Sequence, residues 1–201
     1  MQSETARIEA FSDGVFAIAI TLLILEIKIP RQDQGHLIAA LLRQWPSYLA
    51  FFLSFAYIGV MWINHHRMFT SIKRSNDALL VLNLILLFGV TVVPFPTAVL
   101  AENLGGPNQR TAALVYNATF IGIALAFNLL WRYAVARHML HEHALSTAAS
   151  ISIHYAAGPF MYLACLVTAL YNVRASIVAN TALALFFALP PSLIRRRTSH
   201  P

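Results

Sequence analysis

Uncharged stretches divide this chain more sharply than any other feature. Counted between consecutive Asp, Glu, Lys and Arg, five runs stand out: Gln44 to His66 (23 residues), Ala78 to Ala101 (24), Thr111 to Trp131 (21), His143 to Val173 (31) and Ala175 to Ile194 (20). A helix crossing the hydrocarbon core needs about 20 mainly apolar residues at a rise of 1.5 Å each, so each run predicts a membrane span. A sixth run, Gly14 to Leu25, holds only 12 residues between Asp13 and Glu26. The segment before it has one Arg against two Glu, and no small-residue cleavage site follows Leu25. That is not the pattern of a secretory signal, and the segment reads as a helix carrying polar residues into the membrane at one end. The expected spans are 5–27, 44–66, 78–100, 111–131, 150–172 and 175–194, forming one all-α, six-helix membrane domain over residues 1–201.

Charge placement tests the count. Basic residues concentrate in cytoplasmic loops, and Arg195, Arg196 and Arg197 put the C-terminal end inside. With six spans, Arg7, Arg67, Lys73, Arg74, Arg132 and Arg137 join them, whereas Lys28, Arg31, Arg43, Arg110 and Arg174 fall outside, nine against five. Without the first span the tally falls to eight against six. Six spans with both termini cytoplasmic fit better.

Composition agrees: 58% of residues are hydrophobic and 11% charged, with a mean hydropathy of +0.64, where a soluble domain carries roughly a quarter charged residues. The net charge of +6 is then the orienting excess. It is not concentrated on a water-facing module of the kind that binds nucleic acid, so no nucleic-acid partner is expected. Cys165 is the single cysteine; it excludes an intramolecular disulfide and reads as a small buried apolar residue.

Ionisable residues within spans are costly and mark function by default. The first helix is richest in them, with Arg7, Glu9, Ser12 and Asp13 ahead of its apolar run. Beyond them Phe11, Val15, Ile18, Leu22 and Leu25 recur at spacings of four, three, four and three. Such a narrow seam packs into a bundle or faces identical neighbours around an axis. Other polar positions carry less. His65 and His66 are adjacent and point to different helix faces, so they cannot share a metal. A haem site would need histidines facing across helices, and only His154 lies within another long uncharged run, so haem or quinone chemistry is not expected. His138, His141, Glu142 and His143 form H-x-x-H-E-H, which reads as a solvated loop because a fourth zinc ligand is missing. Pro94 and Pro96 predict a kink late in the third span. Asn117-Ala118-Thr119 matches a glycosylation sequon but lies within a span. No cofactor or metal is expected, and no activated nucleophile, carboxylate dyad or phosphate loop speaks for an enzyme.

Arg7-Ile8-Glu9-Ala10-Phe11-Ser12-Asp13 reads as R-x-x-x-F-S-D opening a first transmembrane helix, and in this it resembles the transmembrane protein 175 family of potassium channels. Trp62-Ile63-Asn64-His65-His66-Arg67 and Val93-Pro94-Phe95-Pro96-Thr97 are further matches in order. The second half of the chain is similar only in helix count.

The resemblance implies a six-helix subunit whose first helices line an ion pathway. Prokaryotic members have one such repeat per chain and form homotetramers, whereas animal members fuse two repeats and dimerise; one repeat here implies four copies in a lipid bilayer. Carried across, the narrowest constriction falls on Ile18, with Leu22 and Leu25 as further apolar rings, and a pore-facing threonine tied to potassium preference falls on Thr21. Arg7, Phe11, Ser12, Asp13, Trp62, Asn64, His65 and His66 are then expected to form a polar network tying the first helix to the second. The chain carries no T-V-G-Y-G carbonyl filter, so an apolar constriction gating by dewetting is the expected device. The competing expectation is a secondary transporter or proton-leak channel built on the same Arg, Ser, Asp and His residues.

Overall fold

The computed structural model describes residues 5–28 and 36–188. Eight helices occupy them: α1 (Ala6–Leu22), α2 (Leu37–Arg43), α3 (Trp45–Phe69), α4 (Asp77–Val92), α5 (Pro94–Asn103), α6 (Gln109–Ala136), α7 (Glu142–Tyr171) and α8 (Val173–Ala188). Leu23–Glu26 continue α1 as a 3₁₀ turn. The uncharged runs thus became helices, as expected where an apolar environment offers the backbone no partner but itself.

Five helical segments are long and apolar enough to cross a membrane: Ala6–Glu26, Trp45–Phe69, Asp77–Asn103, Gln109–Ala136 and Glu142–Tyr171. The short run behind the first is therefore no obstacle, because the helix begins before the run and continues to Glu26. Within the sixth expected span, Val173–Phe187 is a shorter apolar helix. The end of that span, and with it Arg195, Arg196 and Arg197, lies outside the described residues, as does Arg31.

The third span is broken as the prolines demanded. α4 ends at Val92 and α5 starts at Pro94, because neither Pro94 nor Pro96 has an N–H to donate to the preceding turn. The Val93 amide falls back on Val90 O at 3.2 Å, and Thr97 returns both its amide and its hydroxyl to Val93 O.

Two stretches read as loops are helical. α2 occupies much of the connection between the first two spans, and its Ile38 and Leu42 are exposed. The expected loop 132–149 shrinks to Arg137–His141, since α6 runs on to Ala136 and α7 begins at Glu142. His138 takes the turn with a positive φ of 53°, a backbone conformation that histidine tolerates better than most residues. His141 caps α7 and stacks on His143 at 5.3 Å. Among the described residues no group of histidines, cysteines and carboxylates is placed to hold a metal.

The bundle is organised around α3 and α6. α1 packs on α3 and α4, α5 on α3 and α6, α7 along α6, and α8 against α3 and α7. The shared core runs through Phe16, Tyr57, Phe69, Leu86, Tyr116, Phe120 and Trp131, all buried.

Candidate functional site

α1 meets its neighbours along Ile8, Ser12, Phe16, Ala19 and Leu23. Those spacings of four, four, three and four draw one stripe down a 3.6-residue helix. Ser12 is the polar member of that stripe and is fully buried. Its hydroxyl donates to Ile8 O of its own helix at 2.8 Å and accepts from Asn83 Nδ2 on α4 at 3.0 Å. Asn83 Oδ1 lies 2.9 Å from His65 Nε2 on α3. With that oxygen as an acceptor, the imidazole must carry its proton on Nε2 and donate. The ring is held from two sides, edge-on to Phe16 at 5.4 Å and stacked on Phe69 at 4.4 Å. Ser12, Asn83 and His65 therefore tie three spans together in a dry environment, where each bond left unmade costs more than the bond itself contributes.

A second tie lies nearer the surface. Trp62 Nε1 donates to Asp13 Oδ1 at 2.8 Å, a charge-assisted bond between α3 and α1. Deeper, a cleft between these helices is lined by Phe16, Ala17, Ile20, Ile58 and Gly59. One turn before Asp13, the Glu9 carboxylate faces His66 Nδ1 at 3.7 Å.

The expected polar residues thus divide. Ser12, Asp13, Trp62, His65 and, through Glu9, His66 join α1 to α3. Asn64 turns away: its amide donates to Phe187 O on α8 at 3.4 Å, and its carbonyl accepts from Tyr155 Oη on α7 at 3.2 Å. Arg7 and Phe11 are exposed. Sequence reasoning missed Asn83, because one amide in a 24-residue uncharged run carries no spacing signal. It also missed two buried hydrogen-bonded groups. With the Thr97 hydroxyl proton given to Val93 O, Ser54 Oγ donates to Thr97 Oγ1 at 2.7 Å and lies 3.0 Å from Tyr116 Oη. Tyr57 Oη donates to Asn180 O at 2.6 Å, and Asn180 Nδ2 donates to Asn117 Oδ1 at 3.0 Å. Asn117, the sequon residue, is buried.

The opposite face of α1 is left exposed by the described residues. Ile18, Leu22 and Leu25 are 61%, 43% and 68% exposed, and Val15 is half-buried. Gly14, Ile18, Leu22 and Leu25 form one ridge; Asp13, Ala17 and Thr21 form the next, all of them exposed. Thr21 Oγ1 donates to Ala17 O and Ile18 O, each at 2.9 Å. Its proton is engaged by its own helix, and the oxygen lone pairs remain for an outside donor or cation. Where α1 ends, Lys28 pairs with Glu102 at the end of α5, and the neighbouring carboxylate raises the lysine pKa above its ordinary range.

Comparison with known proteins places this arrangement. Residues 7–94 match the family model described as endosomal/lysosomal potassium channel TMEM175. Over 94% of this chain and 95% of its own length, a potassium channel of Chamaesiphon minutus is 49% identical. The chain belongs to the TMEM175 family. A potassium channel of Streptomyces collinus is 43% identical over 92% of both chains. The crystal structure of a lysosomal potassium-selective channel TMEM175 homolog from Chamaesiphon minutus superposes with a TM-score of 0.86, at 48% identity over 94% of this chain and 99% of that one. The stretch matched by the TMEM175 model contains α1, α3 and α4 with Ser12, Asp13, Trp62, His65 and Asn83. The likeness therefore extends beyond the motif to the helices that hold it, and through the two relatives to the second half of the chain.

Proposed function

We propose that this TMEM175-family chain is a passive, potassium-permeable cation channel in a lipid bilayer, assembled from four copies with the α1 helices around the axis. The observation that carries this reading is the asymmetry of α1. One face is fixed to the protomer by a buried hydrogen-bonded triad. The other carries Thr21 and three large apolar side chains left exposed by the described residues, with the Asp13 carboxylate at its border. A face turned only to lipid has no use for Asp13 and Thr21; a face turned to an aqueous axis does.

In that arrangement Ile18 forms the narrowest ring, with Leu22 on the order of 6 Å further along the axis at 1.5 Å per residue and Leu25 beyond it. Alkyl rings cannot replace an ion's hydration shell. They gate by dewetting, so a small widening readmits water and current. Selectivity then comes from pore radius, partial dehydration and the Thr21 oxygens. The orientation that puts most basic residues inside places both termini in the cytoplasm of a prokaryotic host, with Asp13 near the inner mouth. Nothing in this mechanism requires catalysis, a cofactor or a metal.

The test is reconstitution in liposomes under a potassium gradient. Current that reverses at the potassium equilibrium potential supports the channel. Obligatory exchange for a second solute supports a transporter, and a reversal potential following pH supports a proton leak. Either of the last two outcomes overturns the proposal.

A further inference from the structure

Arg67 ends the motif of the second span, yet among the described residues it has no counter-charge. Its Nη1 is buried without a hydrogen-bond partner, and neither Lys28–Glu102 nor Glu9–His66, the ion pairs formed among the described residues, includes it. The guanidinium lies close enough to act electrostatically on His154 and Tyr155 of α7, neither of which supplies negative charge. A buried charged donor left unmade is expensive, and the chemistry that answers it is an oxyanion with two acceptors in one plane, for which the guanidinium fork is shaped.

A second observation lies one turn deeper. Between α3, α6, α7 and α8 is a half-open cavity of about 50 Å³ whose walls include Tyr57, Met61, Phe120, Phe127, Tyr162 and Phe187. A water-sized group needs ≳ 10–15 Å³ by this measure, so there is room for about three to five of them. That is the bore of one alkyl chain and too little for a headgroup. Cavity and cation adjoin: Asn64 and Tyr155, which line the cavity, flank Arg67 along α3 and across from it on α7. Phe187, another wall, packs edge-on against His154 at 5.0 Å.

We propose that the end of α3, with the facing turns of α7 and α8, holds an anionic phospholipid, its phosphate on the Arg67 guanidinium and part of one acyl chain in the aromatic cavity. The site rests on the membrane topology proposed above, since Arg67 must lie at the headgroup level for its ligand to reach it. Interhelical basic pockets at that level hold anionic headgroups in other membrane proteins. The arrangement separates two demands: Arg67 reads the charge, and the cavity reads the chain.

Native mass spectrometry of the purified protein, titrated with phosphatidylglycerol and with phosphatidylcholine of identical chains, tests this without reference to conduction. The wild type should bind phosphatidylglycerol more tightly. Arg67→Gln should weaken that binding at least about tenfold and weaken phosphatidylcholine less, since both lipids carry the phosphate but only phosphatidylglycerol keeps a net negative charge for the guanidinium to answer. Ala124→Leu, which fills the cavity wall away from Arg67, should weaken long-chain phosphatidylglycerol and leave glycerol phosphate binding as it was; this second variant keeps the test alive should Arg67→Gln fail to fold. Equal affinity for the two lipids, unchanged binding in both variants, or full competition by free glycerol phosphate overturns the proposal. Failure of lipid binding with potassium current intact sinks this site alone, and loss of potassium selectivity with lipid binding intact sinks the channel reading alone.

Discussion

The two faces of α1 are built from the same residue types and do opposite things. Ile8, Phe16 and Leu23 on one side and Ile18, Leu22 and Leu25 on the other are equally apolar, but the first set is buried and the second exposed. The difference is set by Ser12. Its bond to Asn83, and through Asn83 to His65, gives one face a position it cannot leave without stranding buried polar groups, and so fixes by elimination which face remains free. The lesson is that in an apolar solvent, where hydrophobicity hardly distinguishes one side of a helix from another, a few hydrogen bonds set the rotation of a membrane helix.

Mutations that strike one face and spare the other test that division. The largest expected effect is functional: Ile18→Asn should raise current on the order of tenfold, equivalent to about 1.4 kcal/mol off the barrier. The melting temperature should stay near that of the wild type, because the side chain is mostly exposed in the protomer. A planar-bilayer recording paired with a thermal melt reads both, and unaltered conductance removes Ile18 from the constriction.

Next comes the fixed face. Asn83→Leu leaves His65 Nε2 without its acceptor and should cost about 1–2 kcal/mol of stability, visible as a lower melting temperature in detergent. A variant as stable as the wild type would show that the triad does not orient α1.

Asp13→Ala breaks the tie to Trp62 at the border of the two faces. It should reduce the yield of tetramer on size-exclusion chromatography and leave ion preference nearly unchanged. An intact tetramer with altered selectivity would assign Asp13 to the free face instead.

The smallest effect belongs to Lys28→Ala, since Lys28 and Glu102 are both exposed and such pairs contribute little. Its sign with pH follows from the raised lysine pKa. Whatever the pair contributes is fully present below the ordinary lysine pKa and is lost only as pH climbs through the raised value. Wild-type and variant melting temperatures should therefore keep a constant small gap across neutral pH and converge only in strong alkali. A gap that opens or closes near neutrality would point to another group.

Reading the chain in one dimension went furthest where the physics is one-dimensional. The length of an uncharged run and the spacing of apolar positions decided that the protein is all-helical and that Phe11, Ile18, Leu22 and Leu25 share a side of α1. Adjacent His65 and His66 were separable for the same reason, and one is buried while the other is exposed. The prolines at 94 and 96 announced the break between α4 and α5, because a missing N–H is a local defect. Only the tertiary structure could choose partners. Asn83 and Ser12 are 71 positions apart, Asn64 faces α7 and α8 although its neighbour His65 faces α4, and Arg67 is left with a buried nitrogen that nothing among the described residues answers. A helix repeats every 3.6 residues whatever surrounds it, whereas a hydrogen bond between helices depends on how two of them happen to cross, and that is recorded in no single stretch of sequence.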